Sequence, residues 1–258
     1  MKILTIGDPH GDLEKIKKIP MNGIELILLT GDLGKADLAR KRFFENIERK
    51  KNGLKELKYD AELSKNVAKQ IYDSTIEILN YLVKFAPVYS ITENVWMSDE
   101  WARKDEKKFG IKLPHLHEDF KKIKNFNLVK NRIRNIKGLK IGFLEYFVDN
   151  CWIKEFEEKD KKAIKRAKKQ TEKAKKILER FGSNINFLIC HQPPYKFLDE
   201  VNWNKGKHAG SEVILDYIKK YQPRYVFCGH IHEGEGEAKI GKTEVYNLGV
   251  AGHKIISL

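Results

Sequence analysis

Seven residues of metal-ligating type recur in short polar stretches of this 258-residue chain, and each stretch directly follows a run of aliphatic residues. Asp8 and His10 stand in Asp8-Pro9-His10-Gly11, and Asp32 in Gly31-Asp32-Leu33. Asn94 follows Glu93, His191 precedes Gln192-Pro193-Pro194, and His230 and His232 fall in Gly229-His230-Ile231-His232. Taken singly, each has an ordinary explanation: an aspartate caps a turn, an asparagine starts a helix, a lone histidine satisfies local structure. Together, at five successive run ends, they point to one shared site. Carboxylate, imidazole and amide donors without a thiolate suit borderline divalent metals such as Mn, Fe or Zn. Seven donors exceed what one tetrahedral ion takes, whereas two ions sharing a carboxylate would use them all.

The elements that must position these residues are legible as short runs. Lys2–Gly7, Ile24–Thr30, Pro87–Thr92, Ile185–Cys190 and Arg224–Cys228 are apolar and bounded by Gly, Pro or polar loops, as strands buried on both faces are. Leu63, Val67, Ile71, Ile78 and Leu82 keep a helical face from about Glu62 to Lys84, and Gly210–Tyr221 fits a second helix. Strands alternating with helices predict an α/β layered fold, in which ligands bind beyond the carboxyl ends of strands. After Phe126 the pattern changes. Phe126–Lys130, Leu139–Leu144, Thr243–Leu248 and Lys254–Leu258 read as strands with few helices between, predicting a second sheet closed by the C-terminus. No Pro/Ser-rich linker interrupts the chain, so residues 1–258 read as one domain.

Composition narrows the class. Hydrophobic residues at 41% and aromatics at 10% exclude an intrinsically disordered chain. Fifty basic residues against 36 acidic leave a formal charge of +14, carried by 41 lysines and only nine arginines. Three dispersed cysteines, Cys151, Cys190 and Cys228, argue against a disulfide framework and for a reducing cytoplasm. The N-terminal run lacks the pattern of a signal peptide, and no apolar stretch reaches the length of a membrane span. The segment Lys154–Arg180 holds twelve basic and six acidic residues with a thin apolar stripe at Ile164, Ala167, Ala174, Ile177 and Phe181. It reads as a charged helical insertion at about 154–181, solvated and leaning on the body by one edge; the competing reading is a basic arm that meets a polyanion.

Asp8-Pro9-His10-Gly11, Gly31-Asp32-Leu33, Asn94, His191 and Gly229-His230-Ile231-His232, in that order along nearly the whole chain, resemble the signature blocks of calcineurin-like metallophosphoesterases. The stretch from Gln222 to Glu233 followed by Asn247-Leu248-Gly249 is similar to the same family. The resemblance implies a four-layer α/β/β/α sandwich of two mixed sheets. It implies a first metal held by Asp8, His10, Asp32 and His232, and a second held by Asn94, His191 and His230 with Asp32 as the bridge. Mn, Fe, Zn or Ni would serve. Two such ions at roughly 3.5–4 Å bind phosphate oxygens and turn a metal-bound water into a hydroxide for in-line attack on phosphorus, with no separate protein nucleophile.

One block departs from the family pattern. Many members carry His after the asparagine, followed by an acid; here Val95 and Trp96 stand there, and Glu93 replaces the preceding glycine. Relatives without that histidine act on diesters in particular, so the resemblance implies a phosphodiesterase. His208, in Gly206-Lys207-His208-Ala209-Gly210, is the candidate substitute acid; His115 and His117 form a further His-x-His. Trp96, Trp101, Trp152 and Trp203 include candidates for a stacking surface as well as for packing. Two rival functions stay open: a non-catalytic protein-interaction module on the same fold, for which Val95 and Glu93 speak, and a nuclease, which the positive charge permits.

Overall fold

The computed structural model describes residues 1–92, 97–156, 160–202 and 206–258. Glu93, Asn94, Val95, Trp96 and Trp203, all singled out by the sequence, lie outside the described residues. Two mixed sheets stack face to face. The first has the order β11 (His253–Ser257), β1 (Lys2–Ile6), β2 (Leu26–Leu29), β3 (Val88–Ser90), β4 (Phe126–Leu128). The second has the order β5 (Arg132–Ile136), β6 (Leu139–Leu144), β7 (Phe187–Cys190), β8 (Tyr225–Cys228), β10 (Thr243–Asn247), β9 (Gly236–Ile240). Strands β1 to β4 run parallel, as do β6, β7, β8 and β10; antiparallel strands β11, β5 and β9 close three of the four edges.

The continuous apolar runs are explained by burial on both faces, with side chains alternating between them. In β2, Ile27 and Leu29 join one core while Leu26 and Leu28 join another. In β7, Leu188 and Cys190 face outward to a helical layer, and Phe187 and Ile189 face the other sheet. Three large clusters result: one between the first sheet and its helices, one between the sheets, and one between the second sheet and its helices. They are the three interfaces of the four-layer α/β/β/α sandwich.

The helices are α1 (Leu13–Lys17), α2 (Asp37–Lys51), α3 (Ala61–Leu82), α4 (Asp99–Phe109), α5 (Leu116–Phe120), α6 (Asn150–Phe156), α7 (Lys161–Phe181) and α8 (Glu212–Tyr221). Side-chain caps start several of them: Asp60 accepts from Leu63 N, Ser98 from Trp101 N, and Ser211 from Ile214 N. Asp160 caps α7, which buries Ala167, Ala174, Ile177, Leu178 and Phe181 and leaves its lysines on the opposite face. Among the described residues, no helix is long and apolar enough to cross a membrane.

Strand membership differs from the sequence expectation. Phe126–Leu128 and His253–Ser257 belong to the first sheet, and the strands at Phe187 and Tyr225 to the second. The second sheet also has helices between its strands, α6 and α7 before β7 and α8 before β8. Strand pairing is a non-local choice. Asn131 and its neighbours separate β4 from β5 by only a short turn, yet the two strands enter different sheets.

Candidate metal centre

The candidate residues follow strands β1, β2, β7 and β8, so both sheets deliver side chains to one end of the sandwich. The loops are tied to each other by backbone bonds: His10 N donates to Asp32 O at 2.8 Å, and Gly229 N to His191 O at 2.9 Å. His10, Asp32 and His230 have φ of 46°, 42° and 68°, the left-handed region that non-glycine residues rarely occupy. Strain of this kind persists where surrounding structure overdetermines it, and it gathers at functional sites.

Asp8 is the buried centre of the group. It accepts from Thr30 Oγ1 at 2.9 Å and from the backbone N of His230 at 2.5 Å, and His232 Nε2 lies 3.3 Å from its Oδ2. Gly229 is required by this close approach, since a Cβ there would lie 2.3 Å from Asp8 Oδ1. His10 Nε2 and His232 Nε2 are 3.2 Å apart, and Asp32 Oδ2 is 3.6 Å from His10 Nε2. Asp32 Oδ1, on the other side, is 3.8 Å from His191 Nε2. His191 Nδ1 sits 3.0 Å from Thr30 O, which fixes the proton on Nδ1 and leaves the Nε2 lone pair facing Asp32. His230 joins through its ring, 4.8 Å from that of His191 between centroids.

Two ligand triads emerge, Asp8–His10–His232 and Asp8–Asp32–His191, each with donor atoms within 4.8 Å of one another. Tetrahedral ligands at about 2.1 Å from a metal stand roughly 3.4 Å apart, close to the separations above. Electrostatics favour the same occupant. Burial would raise the Asp8 carboxyl, but His191, the hydrogen bond from His232, and His10 hold it well below the usual carboxylate range. Burial pushes His10 down to about 3 against the pull of Asp8, and burial together with His191 lowers His230 strongly. An ionised carboxylate and neutral imidazoles, with nitrogen lone pairs converging, are the form that a divalent cation binds. The donor set therefore fits two metal ions, with Asp8 reaching both triads and the two Asp32 oxygens turned toward opposite sides.

Other candidates fall elsewhere. His208 is in neither triad; its Nδ1 lies 2.7 Å from Oδ1 of buried Asp199, and its ring meets Tyr195 edge-on. His115 and His117 are engaged near α4 and α5, His115 with Glu106 at 3.1 Å and His117 with Lys130 at 3.0 Å. Asp99, His115 and Glu118 also approach one another, but Asp99 accepts from His117 N and Glu118 pairs with Arg103. Trp152 packs on Phe156 and lies 6.3 Å from the His230 ring. Residues missed by the sequence reading stand in the site: Thr30, which orients both Asp8 and His191, and Arg40, whose Nη2 is 3.1 Å from His10 Nε2. Thr30 precedes the Gly31-Asp32 block and was open to that reading; nothing in the sequence distinguishes Arg40 from the other basic residues of α2.

The fold and the ligand triads define a class of metal-dependent hydrolases. A family model described as calcineurin-like phosphoesterase matches residues 1–234, and the chain belongs to that family. An uncharacterized protein of Methanocaldococcus jannaschii is 42% identical over 64 residues, 24% of this chain and 29% of that protein. The human metallophosphoesterase domain-containing protein 1 is 36% identical over 78 residues, 29% of this chain and 24% of that protein. The matches thus span less than a third of these relatives' length. One solved crystal structure superposes with a TM-score of 0.64 at 16% identity, covering 99% of this chain and 94% of its own. A dimetal phosphatase from Danio rerio gives 0.52 at 10% identity, covering 98% and 88%. These two structures share the fold.

Proposed function

We propose that this chain is a two-metal phosphoesterase that prefers phosphodiesters. The observation that carries the reading is the convergence of Asp8, His10, Asp32, His191 and His232 into two ligand triads at one end of the sandwich, with the His230 ring 4.8 Å from that of His191. Asp32, with one oxygen toward each side, is the proposed bridge, and Asn94 is retained as a ligand on its motif. When bound, two divalent cations supply positive charge against phosphate oxygens and an acidified water. The chain's own part is to hold the donors rigid: Thr30 fixes Asp8 and the tautomer of His191, and buried Asp8 anchors the His230 loop through its backbone N.

Proton delivery to the leaving group is the second task. Val95 cannot perform it, which supports diesters and activated esters over alkyl monoesters. Fast turnover of alkyl monoesters would instead assign the proton to His208, the candidate substitute acid, whose Nδ1 lies 2.7 Å from Asp199 Oδ1. Support for a cytoplasmic setting comes from three buried free cysteines, and we take residues 1–258 as a single functional unit with a charged helical insertion at about 154–181. A nuclease remains the second reading, favoured by the lysine-bearing face of α7. The test is a panel of phosphomonoesters and phosphodiesters assayed with Mn²⁺, Ni²⁺, Zn²⁺ and Mg²⁺, alongside metal content. Diester turnover with two bound ions is expected; a chain that takes up no metal and turns over nothing is an interaction module instead.

A further inference from the structure

The metal centre opens into a cavity of about 660 Å³ whose lining is unlike the centre itself. His230 and His232 line one part of it; Phe43, Phe44, Tyr59, Ile71, Met97 and Trp101 supply apolar walls, and Arg40 stands among them. Volumes of this order hold a ligand of drug size. Helix α2, which contributes Arg40 and both phenylalanines, contains no fully buried residue. Its aromatic side chains therefore do not serve the core. Phe43 and Phe44 are each 61% exposed, and their rings meet edge-on at 5.5 Å. An exposed aromatic pair beside a polar site marks a place where apolar surface is covered by a ligand.

Arg40 is placed for a complementary task. Nearby basic residues pair off, Lys35 just before α2 with Asp37 at 3.3 Å and Arg42 with Glu45 at 3.4 Å. Among the described residues Arg40 has no carboxylate partner, and its Nη2 is directed at His10 Nε2, 3.1 Å away. His10 belongs to the first triad, and the same nitrogen lies 3.2 Å from His232 Nε2. With His10 Nε2 engaged in ligation, the guanidinium loses this acceptor, and a phosphate oxygen at the ligand set is the anion that replaces it. Guanidinium and phosphate match as a planar, two-pronged pair. Arginine stays charged at all working pH values, so it neutralises phosphate without serving as a proton donor.

We propose that Arg40 and this chamber form the substrate half of the site: the guanidinium binds the phosphate of an ester, and the walls from α2, α3 and α4 take an apolar substituent. The proposal rests on the two-metal reading and names its substrate class, phosphate esters with a bulky apolar group in place of a sugar or peptide.

The test uses unreactive phosphonates. Phenyl-, octyl- and methylphosphonate are titrated calorimetrically into metal-loaded and metal-free protein, with metal content measured on the same samples. Phenyl- or octylphosphonate is expected to bind about tenfold tighter than methylphosphonate, as burial of a ring or chain predicts. Phenyl above octyl identifies an aromatic substituent; octyl above phenyl identifies a chain. Phe43→Ser combined with Phe44→Ser should remove most of that preference, whereas Phe85→Ser, an exposed aromatic outside the cavity, should leave it intact. Arg40→Ala should weaken all three phosphonates by a similar factor, with metal content retained. Equal affinity for the three phosphonates in metal-loaded wild type would overturn the chamber alone, as would a preference untouched by the paired serine change. Wild type that takes up no metal would overturn the reading on which the proposal stands.

Discussion

Gly229→Ala tests the metal centre without removing a single donor. The added methyl group would lie 2.3 Å from Asp8 Oδ1 and 2.6 Å from Asp8 Cγ, against an ordinary contact beginning at 3.4 Å. Asp8 or its partner strand must therefore yield by about 1 Å to reach normal contact distance. Asp8 is held where it is by Thr30 Oγ1 at 2.9 Å and His230 N at 2.5 Å, so relief breaks one of these bonds. Overpacking of this kind costs roughly 1–3 kcal/mol, which for a chain of this size lowers Tm by about 2–12 °C. Ligation is far less forgiving, because metal–ligand distances tolerate only about 0.2 Å. Metal affinity should then fall by about 100-fold, the upper end of what a displaced supporting group does. Calorimetric unfolding of the metal-free variant reads the first effect, and metal titration of the folded variant reads the second. A folded Gly229→Ala protein with wild-type metal affinity would refute the placement of Asp8 at the centre.

Further expectations follow from the same geometry. Asp32→Asn should weaken both metal sites together, because its two oxygens face different triads, whereas His10→Ala should weaken one; metal stoichiometry under limiting metal separates the two cases. His10 has its ordinary value at 6.5 and about 3 in the fold, so the unfolded chain takes up protons first as pH falls. Stability of the metal-free protein should be at its full value above pH 6.5 and decline toward pH 3, by about 5 kcal/mol if the whole gap is realised; urea unfolding that stays level across that window contradicts the burial of His10. Val95→His with Trp96→Asp should raise the alkyl-to-aryl rate ratio by up to roughly 10²–10⁴-fold, and an unchanged ratio would mean that leaving-group protonation does not limit the enzyme. Replacing several lysines of α7 by glutamine should leave turnover of small diesters unaltered and not change its salt dependence; a flattened salt slope on nucleic acid would instead favour the nuclease.

The ligand-bearing loops were legible because their signal is local. Asp8, His10, Asp32, His191, His230 and His232 each stand just beyond an apolar run that becomes a strand, and a buried parallel strand shows itself by its continuous apolar composition. The resemblance of these blocks to a known family added order and spacing, and the family match over residues 1–234 agrees with it. Helix α3 was equally visible, since Val67, Ile71, Ile78 and Leu82 recur on one face and are all buried. The Asn94 block was legible as a motif and lies outside the described residues.

What only the tertiary structure decided is how these pieces pair. β11 lies beside β1, with Ser257 opposite Lys2, so the C-terminal strand closes the first sheet and not the second. A strand's own residues state that it is buried; they do not state which partner buries it, because the backbone hydrogen bonds of a ladder are the same for every neighbour. Arg40 shows the same limit at the site. In sequence it is one of several basic residues on a charged helix, and only the folded chain brings its guanidinium to His10 and its helix to the mouth of the cavity. Donor chemistry is carried by residue type and survives in the sequence, whereas proximity between α2 and the β1 loop comes from packing contacts spread over many side chains.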